Sequence, residues 1–170
     1  MTATLTHAQA DRDWRDARSL LREYLDWMGT HVGLDLTAAQ PAAVAEFDDL
    51  PGFYRPPAGA LVLARLDSRP AGMVAVHRLA GRTGELKRMY VNPRVRGHGL
   101  GRDLIAAAVA AATDLGFTAL WLQTKPDAMP GAEYLYRSYG FTEIAPYGGL
   151  HTEGVTTLAL PLSQPEKGSR

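Results

Sequence analysis

From Trp14 onward, the apolar residues Ala17, Leu20, Leu21, Tyr24, Leu25 and Met28 recur at the three- and four-residue spacing of a helix. Asp11 or Asp13 stands where a cap belongs, and Gly29 is placed to end the element. Thr4 to Thr6 predicts a short first strand, and Ala42 to Leu50 a short second helix. Leu50-Pro51-Gly52-Phe53-Tyr54-Arg55-Pro56-Pro57 then breaks the pattern. Its prolines argue against a helix interior or a central strand, so a loop is expected. Ala60 to Leu66 and Ala71 to Val76 are apolar runs joined by Asp67-Ser68-Arg69-Pro70, the pattern of a hairpin. Glu85 to Val91 is the next strand, and Asn92-Pro93 stops it.

Leu100 to Leu115 is Ala-rich and strongly helical, and Gly116-Phe117 after it suits a left-handed C-cap with an apolar follower. Ala119 to Gln123 is strand-like. Ala132 to Tyr139 is helical and again ends in Gly-Phe, at Gly140-Phe141. Thr142 to Ile144 and Val155 to Leu160 predict closing strands. One domain over residues 1–162 is expected, with 163–170 as a loose polar tail. The order is a strand, two helices, three antiparallel strands, a helix, a strand, a helix and two strands. It predicts a mixed-sheet α/β or α+β domain, not a regular βαβ repeat.

Composition narrows the chemistry. The 170 residues suit one core, with 46% hydrophobic and 21% charged content. Formal net charge is zero, so no domain-wide basic field for nucleic acid is expected. The absence of cysteine excludes disulfides, Cys-ligated zinc, iron–sulfur clusters and thiol nucleophiles. No metal site is expected. Met1 to Ala10 has neither the basic start nor the apolar core of a secretory leader. No apolar run approaches the ~20 residues of a membrane span. The expected compartment is the cytoplasm.

Candidate chemistry concentrates in Arg96-Gly97-His98-Gly99-Leu100-Gly101, between a strand and a long helix. Glycines let backbone N–H groups approach an anion, and a helix start adds unpaired donors and partial positive charge. A diphosphate-bearing ligand is therefore expected. A P-loop would need Lys and Ser/Thr after the last glycine; Arg102-Asp103 follows instead. A dinucleotide turn would follow its strand directly and carry an acid about 20 residues on. Here Asn92 to Arg96 intervene, and the next strand ends in Gln123-Thr124. Coenzyme A is the third possibility.

At this point the chain resembles the GNAT superfamily of N-acetyltransferases. Its signature, Gln/Arg-x-x-Gly-x-Gly/Ala at a helix start, is matched by Arg96 to Gly101. Glu85 to Pro93 resembles the family's fourth strand, and Leu135-Tyr136-Arg137-Ser138-Tyr139-Gly140-Phe141 its Leu-Tyr-x-x-x-Gly-Phe motif. The resemblance covers about Ala60 to Leu160. It implies a mixed, mostly antiparallel twisted sheet of about six to seven strands, flanked by about four helices. The sheet would splay between strands 4 and 5 because the fourth strand carries a bulge.

The resemblance further implies acetyl transfer from acetyl-CoA to an amine. The amides from Gly97 to Gly101, including His98 and Leu100, would hold the pyrophosphate, with Arg96 and Arg102 adding charge. Main-chain groups of Met89, Tyr90 and Val91 would receive the pantetheine arm. Tyr136 matches the general acid that protonates the leaving thiolate. Glu85 is the leading candidate for the base, with His151 and His77 behind it. Tyr54, Arg55 and His151 are candidate acceptor contacts, and Arg55 would suit an acceptor carboxylate. The expected partner is a small-molecule amine, with no nucleic acid or membrane, and the family implies a homodimer to test for. A protein N-terminal or lysine acetyltransferase is the enzymatic alternative. A non-catalytic acyl-CoA sensor is the alternative of another class.

Overall fold

The computed structural model describes residues 1–127, 129–147 and 153–164. The described strands are β1 (Ala3–His7), β2 (Gly59–Leu66), β3 (Arg69–Ala80), β4 (Thr83–Val91), β5 (Ala119–Thr124), β6 (Thr142–Glu143) and β7 (Thr156–Pro161). The helices are α1 (Asp11–Trp27), α2 (Leu36–Ala39), α3 (Ala42–Asp48), α4 (Leu50–Tyr54), α5 (Leu100–Asp114) and α6 (Pro130–Tyr139). One sheet runs in the order β1-β2-β3-β4-β5-β7-β6. Every neighbouring pair is antiparallel except β4 and β5, which are parallel. This is the mixed, mostly antiparallel sheet that was expected.

The helices differ from expectation at three places. Gly29 does not end the first helix. The chain continues as a π-helical turn over Met28–Val32, and Gly33, at φ 68°, stops it. Asp35 then starts α2, its carboxylate accepting from the N–H groups of Thr37 and Ala38. The proline-rich segment begins as α4 rather than as loop. Asp49 accepts from Gly52 N–H, and Pro51 falls in the first turn, where a missing N–H breaks no helical bond. Among the described residues there are therefore six α-helices where about four were expected. No described helix is long and apolar enough to cross a membrane.

Two cores sandwich the sheet. Leu104, Ile105, Ala108, Phe117, Leu120 and Phe141 pack with α5 and α6 on one face. Leu20, Tyr24, Leu50, Leu63 and Met73 pack with α1 and α4 on the other. β2 is buried along its whole length, so Ala60 to Ala64 is apolar without alternation, and the buried Arg65 that follows pairs with Asp13 and Asp16. The β2–β3 turn places Asp67 and Ser68 at φ 47° and 67°, the doubly left-handed geometry that matches strand twist. The two Gly-Phe pairs act alike. Phe117 N–H donates to Ala112 O and Phe141 N–H to Tyr136 O, closing α5 and α6 with the same six-residue bond.

The feature that positions the site is the β4–β5 junction. Those strands pair only at Thr83–Ala119, Gly84–Leu120 and Glu85–Trp121. Gly84 is required there, because a Cβ would stand 2.5 Å from the Phe117 ring. Beyond Glu85 the two strands part. On its other side β4 stays paired to β3, but with a register shift: Met73 faces Tyr90 while Ala75 faces Lys87. One extra residue is thus inserted in β4, a β-bulge.

Candidate active site

Arg88 sits in the bulge at φ 54°, a left-handed conformation that costs an ordinary residue about 1–2 kcal/mol. What holds it there is Glu46 of α3. The Arg88 Nε and Nη2 atoms donate to the two Glu46 carboxylate oxygens, each at 2.9 Å. Lys87 Nζ donates to the same carboxylate at 3.2 Å, and the Tyr54 hydroxyl donates to it as well. The Arg88 guanidinium also lies 5.0 Å from the Phe47 ring centre. Burial pushes the Glu46 carboxyl up, but Arg88, Lys87 and Tyr54 outweigh it and bring its pKa down to about 2. The bulge is thereby locked to the helical layer that covers it.

Where β4 and β5 part, a small cavity of about 60 Å³ opens. Leu86, Arg88 and Met89 form one wall and Gln123 and Thr124 the other, with Tyr24, Met129, Ala132 and Tyr136 closing the ends. Past Glu85, the β4 edge on this side has no strand partner among the described residues. Its outward N–H and C=O groups are free to receive an extended chain, as at any sheet edge. The Gln123 amide nitrogen and the Thr124 hydroxyl are buried without a hydrogen-bond partner among the described residues.

The glycine loop follows directly. Gly97 and Gly99 have φ 86° and 78°, so glycine is required by the backbone and not by crowding. Gly99 is the N-cap of α5, and no side chain caps this end. The first-turn amides of a helix have no partner within it, so they stay available to an anion. Gly101 is needed for packing instead: a Cβ would stand 2.9 Å from Leu135 Cδ2, drawing α5 against α6. Arg96 does not extend freely. Its Nε donates to Val91 O at 3.1 Å and its guanidinium lies 5.2 Å from the Trp27 ring centre. The His98 ring nitrogen Nδ1 lies 3.0 Å from Val95 O, and Arg102 is exposed. We expect Gly99→Val to weaken CoA binding about tenfold, because the left-handed strain of about 1–2 kcal/mol distorts the loop. Calorimetric titration of CoA into the folded variant checks this, and an unchanged affinity would separate the loop from the ligand.

Tyr136 lies on α6, buried in the first core, with its ring edge-on to Phe141 at 5.8 Å. Burial pushes its phenol above the ordinary value, and Tyr24 adds to the shift. Glu85 sits at the last β4–β5 rung, opposite Trp121. Its carboxylate accepts from the Tyr147 hydroxyl and is 3.7 Å from Lys87 Nζ. Tyr147 packs on Trp121 with ring centres 5.3 Å apart. His77 faces Glu85 across the β3–β4 pair and packs between Phe53 and Tyr54. Desolvation and the nearby Lys87 lower its pKa. Among the described residues no cluster of three or more His, Asp or Glu side chains could hold a metal.

Two acceptor candidates need correcting. Tyr54 is 1% exposed and its hydroxyl is committed to Glu46, so it serves the bulge and not an entrance. Arg55 is exposed, but its guanidinium covers the Trp14 ring at 5.5 Å and does not reach the cavity. His151 lies outside the described residues. Of the strand residues, Met89 faces the cavity, while the Tyr90 ring points to the α1 side, edge-on to Tyr24 at 5.9 Å. Glu46, Arg88, Tyr24 and Gln123 are site residues that sequence reasoning missed. Lys87-Arg88 looks like an ordinary charged pair on a strand, and only the unpaired Glu46 in an apolar helix hinted at a buried partner.

The wider comparisons agree with this geometry. The acetyltransferase (GNAT) family model matches residues 17–141. An uncharacterized N-acetyltransferase of Schizosaccharomyces pombe is 31% identical over 166 residues, which cover 95% of this chain and 96% of that protein. Among solved structures, a GNAT-family acetyltransferase from Staphylococcus aureus Mu50 superposes with TM-score 0.76 at 17% identity, over 95% of this chain and all of that one. The PaiA N-acetyltransferase of Thermoplasma acidophilum, solved in complex with coenzyme A, gives 0.68 at 16% identity, over 95% and 99% of the two chains. The matched span runs from α1 through the bulge and the glycine loop to Phe141 after Tyr136, and the chain belongs to the acetyltransferase (GNAT) family.

Proposed function

We propose that this chain is a single N-acetyltransferase domain over residues 1–162 that moves an acetyl group from acetyl-CoA to a primary amine of a small molecule. One observation carries the reading. The β4 edge is left open by the bulge, between the uncapped start of α5 and the cavity that holds Tyr136. An extended pantetheine arm fits such an edge, with the pyrophosphate at the Gly97–Gly101 amides and the thioester at the cavity.

The attacking amine must be neutral, and an alkyl amine has pKa near ~10.4, so a route for its proton is needed. Glu85 is the proposed route. It is the carboxylate on the acceptor side of the junction, and an incoming ammonium would compete with Tyr147 for it. The amine nitrogen bonds to the carbonyl carbon, the carbon–sulfur bond breaks, the electron pair leaves with sulfur, and the extra proton on nitrogen is lost through Glu85 to water. Tyr136 supplies the proton that makes the free thiol. Tyr147 narrows the acceptor side by packing over Trp121 and Glu85, which supports a small amine over a polypeptide.

The test is thiol release from acetyl-CoA against two panels, free amines and peptides with lysine or free N-termini. Turnover with free amines is expected. Turnover confined to peptides would make the chain a protein acetyltransferase, and stoichiometric binding without release on either panel would make it a sensor.

A further inference from the structure

Gln123 contributes nothing to the fold that an apolar residue of its length would not. It is the first β5 residue but one after Trp121, where β4 and β5 last touch, so it stands at the parting of the strands. Its backbone pairs with Thr157 of β7, but its side chain lines the cavity beside Tyr24, Arg88 and Tyr136. The carboxamide nitrogen is out of solvent and has no acceptor among the described residues. Such an unmet donor costs a protein about 1–3 kcal/mol.

The rest of the cavity explains what is missing. Among the described residues its lining contains no carboxylate. Arg88 offers donors, and two of its nitrogens are already bonded to Glu46. Thr124, 4% exposed, also lines the cavity, and its hydroxyl is buried without a partner among the described residues. Among the described residues the cavity thus carries an unmet N–H donor and no carboxylate to take it. At about 60 Å³ it admits a group of a few heavy atoms and not a whole acceptor molecule.

We propose that the Gln123 side-chain amide is a catalytic donor to the acyl carbonyl oxygen. This rests on the transfer reaction proposed above. As the amine nitrogen bonds to the carbonyl carbon, the C=O π pair moves onto oxygen. The Gln123 N–H meets that growing charge from the β5 wall. When the pair returns to re-form C=O, the C–S bond breaks, its electrons leave on sulfur, which takes a proton from Tyr136, and the nitrogen loses its extra proton through Glu85 to water. Gln123 itself gains and loses no proton. A donor fixed in a dry site favours the charged transition state over the ground state, because it needs no reorganisation.

The experiment uses the whole chain, with [1-¹³C]acetyl-CoA as probe. Isotope-edited infrared spectra of the complex report the carbonyl stretch directly. Gln123→Leu should move that stretch toward its value in free acetyl-CoA, with the acetyl-CoA dissociation constant changed less than about twofold. With an accepting amine, kcat should fall about 10²-fold, the usual cost of one oxyanion donor. Gln123→Glu keeps the size and removes the donor, so it should show the same shift in the stretch if the leucine variant fails to fold. An unchanged stretch in either folded variant overturns the role of Gln123 and leaves the transfer reaction standing. Failure of the native chain to bind acetyl-CoA overturns both.

Discussion

Tyr136→Phe is expected to lower turnover by about 10²-fold while acetyl-CoA binds almost as before, the range for losing a general acid. The variant isolates the hydroxyl. The ring is buried and packs edge-on to Phe141, and phenylalanine keeps that contact. An unshifted phenol gives its proton to a thiolate uphill by only ~2 kcal/mol, from the difference between pKa ~10 and ~8.5. Burial raises the Tyr136 phenol further, so complete transfer costs more than in water. A thiolate leaving into the same dry cavity is also destabilised, which restores part of the balance. The upward shift has a second consequence. Tyr136 remains protonated throughout the neutral range, so the acid it supplies is never titrated away there. The pH profile of kcat/KM between 6 and 9 should therefore have the same shape in the native chain and in the variant. Steady-state kinetics with thiol detection reads both quantities, and an unchanged kcat would remove Tyr136 from the reaction.

Glu46→Ala should be the most destabilising of the substitutions considered, by about 3–5 kcal/mol, the usual cost of leaving one partner of a buried pair uncompensated. Glu46 is 3% and Arg88 8% exposed, and they share two hydrogen bonds of 2.9 Å. Without the carboxylate, Arg88 is a buried cation in a strained backbone, next to Lys87 of the same sign. Replacing both Glu46 and Arg88 by leucine should cost less than the alanine variant, because no charge is stranded. Urea unfolding followed by circular dichroism makes the comparison, and additive losses would sink the coupling. The pH dependence has a defined sign. The folded pKa of Glu46, about 2, lies below the ordinary ~4.3 of an unfolded chain. Its stabilisation is complete above that ordinary value and is lost as pH falls toward 2. The native chain should weaken over that window, and the alanine variant should be flatter there.

The long helices were legible by their period and the central strands by their apolar runs. α1 and α5 show apolar residues at helical spacing, and β2 is a run too apolar for a half-exposed strand. The Gly-Phe pairs at 116–117 and 140–141 were legible because only glycine enters the left-handed cap without strain. α2 and α4 were not, because they are four- and five-residue helices started by single Asp caps, too short for a period to appear. Tyr54 was misplaced for a related reason. A residue on a proline-rich segment looks exposed until the segment folds back, and Tyr54 folds back onto Glu46.

Sequence alone determined the order of the strands and the long helices, the backbone glycines of the loop, the Tyr136 motif and, through them, the family. These are local: a turn that needs positive φ or a helix that needs a stripe leaves its mark within a few residues. The tertiary structure alone decided where the strands part, which residue is extruded at the bulge, and that Glu46, 42 residues distant from Arg88, holds it there. It also decided that Gln123 lines a cavity with its amide nitrogen unpartnered among the described residues. A bulge is one unpaired residue and a buried ion pair is two charges far apart in the chain. Neither has a period, so neither exists as a pattern until the sheet and the helices are packed together.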